Sequence, residues 1–202
     1  MSRVIVYFAH PGHKHSRANR AMAVAARTLE GITFVDLYSE YPRFNIDIEL
    51  EQRRLLDHDV IVFQFPMFWY STPALVKEWE DLVLEHGFAY GAGGDNLAGK
   101  RLLLAITAAG PVDAYQPDGY QRHPIRTFLT PLEQTATLCQ MNFLPPYVLF
   151  SSLSAPTDGS LDTHVANYRT LLESMRDDRF DFAAVAGRDL IRGSELPVKG
   201  VT

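Results

Sequence analysis

The sequence predicts an α/β protein in which helices cover both faces of a parallel sheet, and three observations carry this prediction. Short apolar runs recur along the chain, as at residues 3–8, and such runs are typical of strands buried on both faces. Stretches with helical spacing separate the runs. Strands that alternate with helices in this way favour a parallel sheet joined by right-handed crossovers.

The elements can be assigned in order along the chain. Five strands are predicted at residues 3–8, 32–38, 60–65, 101–108 and 147–152. Helices are predicted at residues 16–29, 49–57, 73–86, 125–140 and 162–176. We expect Ser16 to cap the first helix and Pro66 to stop the third strand. With no internal repeat or linker, residues 1–202 are expected to form a single domain, with a loosely ordered tail after about residue 181.

Composition excludes several classes of protein. The formal net charge is −5 and no block of Lys and Arg occurs, so nucleic-acid binding is not expected. The single cysteine, Cys139, excludes an internal disulfide and fits a reducing compartment. No apolar stretch approaches the roughly 20 residues of a membrane helix. We therefore expect a soluble, cytoplasmic protein.

Three loops are expected to form a ligand site, because open α/β sheets bind ligands at the carboxyl ends of their strands. The first loop, residues 10–19, leads into a helix N-terminus, where amides attract an anion and Ser16 and Asn19 can add hydrogen bonds to phosphate oxygens. Helix capping alone is the alternative role for Ser16. Zinc binding by His10, His13 and His15 is a second alternative, although no nearby Cys or acidic residue completes a set of four ligands.

The second and third loops favour a planar ligand. Four bulky residues lie between Pro66 and Pro73, and a flat aromatic ligand could stack against them: Met67, Phe68, Trp69 and Tyr70. Packing under the next helix is the alternative. Small residues at 107–110 allow a ring to approach the backbone closely. Beyond them, Tyr115, Tyr120 and His123 are candidates to stabilise charge on the ring or on a bound substrate.

Taken together, several motifs resemble those of one family. They are His10-Pro11, Ser16-x-Ala18-Asn19, and the stretches at residues 64–71, 73–79 and 87–94. The combination resembles the flavodoxin-like NAD(P)H:quinone oxidoreductases, above all the ancillary subunits of bacterial glutathione-regulated potassium-efflux systems. Those subunits also carry a stretch like residues 41–48, and the similarity extends to about Arg176.

The resemblance implies a flavodoxin-like three-layer sandwich with strand order 2-1-3-4-5. It also implies a flavin (FMN, with FAD possible), NAD(P)H as electron donor, a quinone-like acceptor, two-electron ping-pong transfer, and a homodimer with its sites at the subunit interface. FMN is favoured over FAD because the chain has no long tail to cover an adenosine. The family alternative is a regulatory subunit that activates a potassium-efflux transporter, with the flavin mainly structural and the protein held at the inner membrane by its partner. A one-electron flavodoxin carrier is less favoured, because such carriers are usually more acidic and lack the stretch at residues 88–94.

Carried over by position, the resemblance implies roles for individual residues. The phosphate and ribityl chain would be held by His10, Ser16, Arg17, Ala18 and Asn19, and the ring edge by Met67, Phe68, Trp69 and Tyr70. The other side of the ring would be covered by Thr107, Ala108, Ala109 and Gly110, where relatives commonly have Thr-Thr-Gly-Gly. Phe88 and Tyr90 would face the nicotinamide and quinone pocket from the partner subunit. Tyr115 matches a tyrosine that some quinone reductases place over the flavin. Arg17 or Lys14 could meet the 2′-phosphate of NADPH, or both could be solvated charges.

Overall fold

Five strand positions form one parallel sheet in the computed structural model, which describes residues 1–12 and 16–200. The strands are β1 (Val4–Phe8), β2 (Ile32–Asp36), β3 (Val60–Pro66), β4 (Arg101–Thr107), β5 (Asn142–Phe143) and β6 (Tyr147–Leu149). Their order is β2-β1-β3-β4-β5, and β6 also pairs with β4. The predicted fold class and strand order are therefore confirmed. All pairs are parallel, so the carboxyl ends of the strands meet at one edge of the sheet.

The fifth strand position differs from the predicted strand at residues 147–152 in two ways: β6 already ends at Leu149, and an unpredicted two-residue strand, β5, precedes it. Phe143 pairs with Leu102, and Tyr147 pairs with Ala105 further along β4. Between these two short strands lie Pro145 and Pro146, which have no N–H to donate to the ladder. The interruption therefore follows from two prolines in succession.

Helices cover both faces of the sheet. They are α1 (Ala18–Arg27), α2 (Leu37–Glu40), α3 (Ile48–Asp57), α4 (Ala74–Val83), α5 (Ile125–Phe128), α6 (Thr130–Leu138), α7 (Ala155–Asp158), α8 (Ser160–Arg176) and α9 (Phe182–Val185). Residues of α1 and α8 pack with one set of alternating strand side chains, and residues of α3, α4 and α6 pack with the other set. This arrangement is the predicted three-layer sandwich.

Three helix boundaries correct the sequence prediction. Arg17, not Ser16, is the N-cap of α1, and among residues 1–12 and 16–200 no side chain makes a capping hydrogen bond to that helix. Strand β2 ends at Asp36, whose carboxylate accepts a hydrogen bond from Ser39 N and so begins α2 where more strand was predicted. The single helix predicted at residues 125–140 is two helices, and Pro131 in the first turn of α6 explains the break, since its amide can have no helical partner.

The core between α3 and α4 contains a fully buried carboxylate, that of Glu51. Tyr41 Oη donates to its Oε1 at 2.6 Å, Trp79 Nε1 donates to its Oε2 at 3.1 Å, and Arg54 Nη1 lies 2.5 Å from its Oε1. Tyr41 follows α2, Trp79 lies in α4, and Arg54 is one turn further along α3 than Glu51. Glu51 therefore ties α3 to α4 and to the loop after α2, and Trp79 belongs to the core.

The C-terminal tail differs from the expectation of loose order. Phe180, Val185 and Ile191 are buried, and Ile191 N donates to Pro146 O at 3.0 Å. These apolar residues are too widely spaced to produce a helical or strand pattern, so the sequence carried no periodic signal for them. Apart from the single-turn helix α9 and a 3₁₀ turn at Gly193–Glu195, the tail is ordered by its contacts with the sheet edge.

Glu80, another acidic side chain in a largely apolar environment, makes the stability of the folded protein depend on pH. Glu80 of α4 lines a largely apolar cavity between α4, β4 and α6, and burial raises its pKa from the ordinary 4.5 to about 7. The charge of Lys77 opposes the rise, and that of Asp81 adds to it. Because the pKa is higher in the folded state, the stabilising contribution is complete below about pH 4.5 and is lost as the pH rises through 7.

We therefore expect Glu80→Gln to unfold at a higher urea concentration than the native protein at pH 8. The expected gain is about 1–2 kcal/mol, reduced from the full effect because the carboxyl is partly exposed. At pH 5 the two proteins should be nearly equal. Glu78→Gln, on the exposed side of the same helix, is the matched control and should behave like the native protein at both pH values. Equal stability of Glu80→Gln and native protein at pH 8 would contradict the expectation.

Candidate functional site

Two adjoining pockets occupy the carboxyl edge of the sheet. The first, of about 380 Å³, is lined by His10, Ser16, Arg17, Ala18, Asn19, Pro66, Met67, Phe68, Thr107, Ala109, Ser152, Leu153 and Pro156. The second, of about 290 Å³, is lined by Met67, Trp69, Tyr70, Ala109, Gly110, Tyr115, Tyr120 and Gln121. Met67 and Ala109 belong to both linings, so the two pockets form one groove across the ends of β1, β3 and β4. Below, they are called the inner and outer pocket.

The inner pocket ends at the N-terminus of α1. The first amides of a helix have no partner within it, and the first turn of α1 contains no acidic residue. Arg17 at the N-cap is exposed and adds a positive charge there. This end of the groove therefore has the electrostatics of an anion site.

The buried side chain and backbone of Asn19 join α1 to the strands β3 and β4 below that end. Asn19 is only 2% exposed, and its Nδ2 donates to Thr107 Oγ1 at 2.6 Å. Gln64 Nε2 donates to the backbone oxygen of Asn19 at 2.9 Å. Since Thr107 Oγ1 accepts from Asn19, its own hydroxyl proton is available to an acceptor in the pocket. Asn19 thus both fixes α1 and makes Thr107 a donor.

A strained turn forms the boundary between the pockets. Phe68 and Ser71 exchange backbone hydrogen bonds of 3.1 and 3.0 Å around Trp69 and Tyr70. Both central residues have positive φ, 47° and 66°, which is unfavourable for bulky side chains and costs about 1–3 kcal/mol each. The amides of Met67, Phe68 and Ser71 are already hydrogen-bonded, that of Met67 to Thr107 O. Within the described chain, the amides of Trp69 and Tyr70 are therefore the ones that this turn can offer to a ligand. Strain of this kind is typical of ligand-contacting segments.

Aromatic side chains build the wall of the outer pocket. Tyr70 stacks on Phe128 with ring centroids 5.0 Å apart, and Tyr115 meets Phe128 edge-on at 6.2 Å. Burial raises the pKa of Tyr115, with smaller contributions from Tyr120 and Tyr70, so its phenol keeps its proton at neutral pH. The Tyr120 hydroxyl also lies over Gly110, where a Cβ would come within 2.7 Å of it. The wall therefore presents tyrosine hydroxyls close to the backbone of Gly110, where a larger residue would displace Tyr120.

Most of the predicted site residues meet in this groove, but Ala108 lies apart from it. Its N–H donates to Leu149 O at 2.8 Å, and its side chain is buried with Ala114, Tyr115 and Ile125. Ala108 was expected to help cover one side of the ring, but its amide is already bonded to β6 and its side chain faces away from both pockets. Ala108 supports the wall from behind.

Phe88 and Tyr90 also lie outside the groove of their own chain. They follow α4 and precede β4, which places them towards the amino ends of the strands, half-buried against the α3–α4 side of the core. Neither lines the inner or the outer pocket. Within one chain they cannot complete the site, so a role there requires a second copy.

Five lining residues were not predicted as site residues: Pro66, Gln121, Ser152, Leu153 and Pro156. Three of them follow β6, and Ser152 N donates to Ala108 O at 3.0 Å, which brings this loop to the groove. The rule that selected the first three loops applies to the end of the fifth strand as well. That signal was present in the sequence and was not used.

Of the three histidines of the zinc alternative, the structure describes only His10. His13 and His15, and also Lys14, lie outside the described residues, while His10 packs edge-on against Phe68 at 5.7 Å. Among residues 1–12 and 16–200, no group of three or more His, Cys, Asp and Glu side chains is placed to hold a metal ion. In the same part of the chain, no helix is long and apolar enough to cross a membrane.

The residues present fit a phosphorylated planar ring. An anion-attracting helix N-terminus closes one end of the groove. At the other end lie an aromatic wall and a turn whose Trp69 and Tyr70 amides have no hydrogen-bond partner in the described part of the chain. A sheet of order β2-β1-β3-β4-β5 with this groove at its carboxyl edge defines a flavodoxin-like protein. Residues 2–172 match the model of a family described by a flavodoxin-like fold, and the chain belongs to that family.

Individual proteins similar in sequence or in structure show which members of the family this chain resembles. The chain is 48% identical over 149 residues to the glutathione-regulated potassium-efflux system ancillary protein KefG of Cronobacter sakazakii, covering 74% of this chain and 81% of that protein. It is 46% identical over 151 residues to the uncharacterized NAD(P)H oxidoreductase YrkL of Bacillus subtilis, covering 75% and 87%. The structure of general stress protein 14 from Treponema denticola in complex with FMN matches with a TM-score of 0.81 and 31% identity, covering 86% of this chain and 99% of that one. The resemblance inferred from the motifs is thereby confirmed.

Proposed function

We propose that this protein is an FMN-dependent NAD(P)H:quinone oxidoreductase. The observation that carries the proposal is the continuous groove, with an anion-attracting helix N-terminus in the inner pocket and tyrosine hydroxyls in the outer pocket. The name of the Bacillus subtilis relative and the FMN in the Treponema denticola structure support it. When bound, the flavin would supply the redox chemistry, accepting a hydride from the nicotinamide and passing two electrons to the acceptor.

The chain's own residues would bind and orient the reactants. The first turn of α1, with Ser16 and Arg17, would hold the phosphate, and Thr107 would donate its hydroxyl proton to an acceptor on the cofactor. The amides of Trp69 and Tyr70 would bond polar atoms of the ring edge. The outer pocket would receive nicotinamide and quinone in turn, which is the ping-pong order. Phe88 and Tyr90 from a second copy would cover it in a homodimer.

The first experiment is an absorbance spectrum of the purified protein with added FMN, followed by anaerobic NADPH or NADH. We expect the flavin band to shift on binding, to bleach with one of the two nucleotides, and to return when a quinone is added. The preferred nucleotide follows from the same titration. A protein that binds no flavin would overturn the proposal, as would a bound flavin that neither nucleotide reduces.

We expect Tyr115→Phe to slow quinone reduction by about tenfold, the size of one lost hydrogen bond, while FMN affinity is unchanged. The reason is that the neutral Tyr115 hydroxyl would donate to the oxygen on which charge develops as the acceptor is reduced. Rapid mixing of the reduced protein with quinone measures the rate. Tyr120→Phe is the matched control, since its hydroxyl lies in the same pocket. An equal rate for Tyr115→Phe and native protein would remove Tyr115 from the mechanism, and a loss confined to Tyr120→Phe would assign the role to that hydroxyl.

A second candidate is an ancillary subunit that binds and activates a membrane potassium-efflux transporter. The 48% identity to the Cronobacter sakazakii protein favours it. The flavin would then be mainly structural, and the protein would lie in the cytoplasm at the inner membrane. Flavin bound tightly but reduced by neither nucleotide, together with binding to a transporter's cytoplasmic part, is the result that would favour this candidate.

A further inference from the structure

The segment at residues 177–200 lies beyond the 2–172 range that matches the family, yet it is packed onto the sheet edge beside the outer pocket. Its Ile191 is 3% exposed and forms a parallel bridge with Tyr147. This anchor brings the preceding residues of the segment, Arg188 to Leu190, to the underside of the loop that carries Tyr115. We call residues 177–200 the C-terminal segment and residues 110–128 the pocket loop.

An apolar contact joins the two. Leu190 packs against the buried cluster of Ala108, Ala114, Tyr115 and Ile125, together with the partly buried Phe128 and Phe150. The same Phe128 supports both Tyr70 and Tyr115. Leu190 therefore lies behind the aromatic wall, and the other side of that wall faces the outer pocket.

A polar contact joins them as well. Arg126 Nη1 donates to the backbone oxygen of Arg188 at 2.8 Å, while its Nη2 and Nε contact the two carboxylate oxygens of Glu133 at 2.7 and 3.2 Å. The two-pronged pair with Glu133 holds the guanidinium in one orientation. Arg126 thus fastens the C-terminal segment to the end of the pocket loop and to α6.

Backbone hydrogen bonds do little to fix the position of the pocket loop, which is held against the sheet by the apolar contacts of Tyr115, Ile125 and Phe128. Over residues 111–123, the backbone hydrogen bonds of the described structure stay within the loop, such as Tyr115 N to Val112 O and Gln121 N to Ala114 O. In the first part of the loop, among the described residues 110–123, the one backbone group that accepts from outside the loop is Gly110 O, which accepts from Ser151 N at 2.9 Å. The loop is therefore locally folded, and its placement over the groove depends on side-chain packing.

We infer that the C-terminal segment is a brace that positions the pocket loop, with Leu190 and Arg126 as positioning residues for Tyr115. Its effect on catalysis rests on the proposed function, whereas its effect on loop order does not. A brace of this kind keeps the Tyr115 hydroxyl at a constant distance from the ligand, on which hydrogen-bond donation depends.

The test compares Leu190→Ala with Leu196→Ala. Both leucines are half-buried in the same segment, but Leu196 packs on the opposite cluster, with α1 and α8. We expect amide hydrogen exchange of residues 110–123 to become about tenfold faster in Leu190→Ala and to stay unchanged in Leu196→Ala. Quinone KM should rise several-fold only in Leu190→Ala, with FMN affinity unchanged, and Leu190→Met should restore both values.

Equal exchange of residues 110–123 in the two alanine variants would overturn the brace, whatever the kinetics. Faster exchange with unchanged quinone KM and kcat would also overturn it, because the loop's position would then not matter to the substrate. Failure of the proposed function would look different: the native protein with FMN would not oxidise NAD(P)H. In that case the exchange comparison still decides whether the segment holds the loop.

Discussion

Glu51→Ala will lower the free energy of unfolding by about 3–5 kcal/mol, the cost typical of removing one member of a buried charged pair. The variant leaves Trp79 Nε1 buried without its acceptor, removes the partner of the Tyr41 hydroxyl, and separates Arg54 from the carboxylate 2.5 Å away. Urea unfolding followed by far-ultraviolet circular dichroism measures the change. Fluorescence is less suitable, because Trp79 is itself one of the partners.

The matched control is Glu49→Ala in the same helix. Glu49 is also acidic, but its side chain is 89% exposed and makes only a surface ion pair with Arg53. Such a pair contributes about 0–1 kcal/mol, so the control should unfold close to the native protein. Glu51→Gln, which keeps one acceptor oxygen, should fall between the two. If Glu51→Ala unfolds within 1 kcal/mol of Glu49→Ala, the buried network does not join α3 to α4 as described.

The second large effect concerns ligand binding. Asn19→Asp is expected to weaken FMN binding by about 10- to 100-fold, equivalent to about 1.4–2.7 kcal/mol. An aspartate carboxylate cannot donate to Thr107 Oγ1, which now receives a 2.6 Å hydrogen bond from Asn19. It would also place a negative charge in the first turn of α1, where the phosphate is proposed to lie.

Riboflavin, which has the same ring and no phosphate, separates the two causes. Fluorescence titration should show a much smaller loss for riboflavin than for FMN, and the difference should shrink at high salt. Asn142→Asp is the control, because it makes the same change at an exposed position at the amino end of the sheet. An equal loss for the two ligands would argue that the phosphate is not at the N-terminus of α1, and no loss for either would remove the inner pocket from flavin binding.

Much of the fold could be predicted from local pattern. The apolar runs of β1, β3 and β4 and the helical spacing of α4 depend only on neighbours along the chain, and they were assigned within a few residues. The structure differs from the prediction at the second and fifth strand positions, where single residues, not the apolar pattern, set boundaries. Two consecutive prolines separate β6 from β5, which was not predicted, and the carboxylate of Asp36 began a helix where apolar residues suggested more strand.

The part of the candidate site that follows from the order and direction of the strands could be predicted from the sequence. Once the strands are parallel, the loops that follow them meet at one edge, and the residues at 16–19, 67–70 and 107–110 come together with most of their predicted neighbours. Ala108 was the exception within those loops, because its amide is taken by Leu149. Whether an amide is used or free depends on the neighbouring strand, which local sequence does not specify.

By itself, then, the sequence determined the class of fold, the edge of the sheet at which the candidate site lies, and the family, because periodicity, strand–helix alternation and short motifs are properties of neighbouring residues. Only the tertiary structure decided that Glu51 is buried with three partners, that Asn19 donates to Thr107, and that Leu190 supports the wall of the outer pocket. The physical reason is the same in each case. These contacts join residues from separate turns or distant parts of the chain, and their geometry exists only after the helices have packed on the sheet.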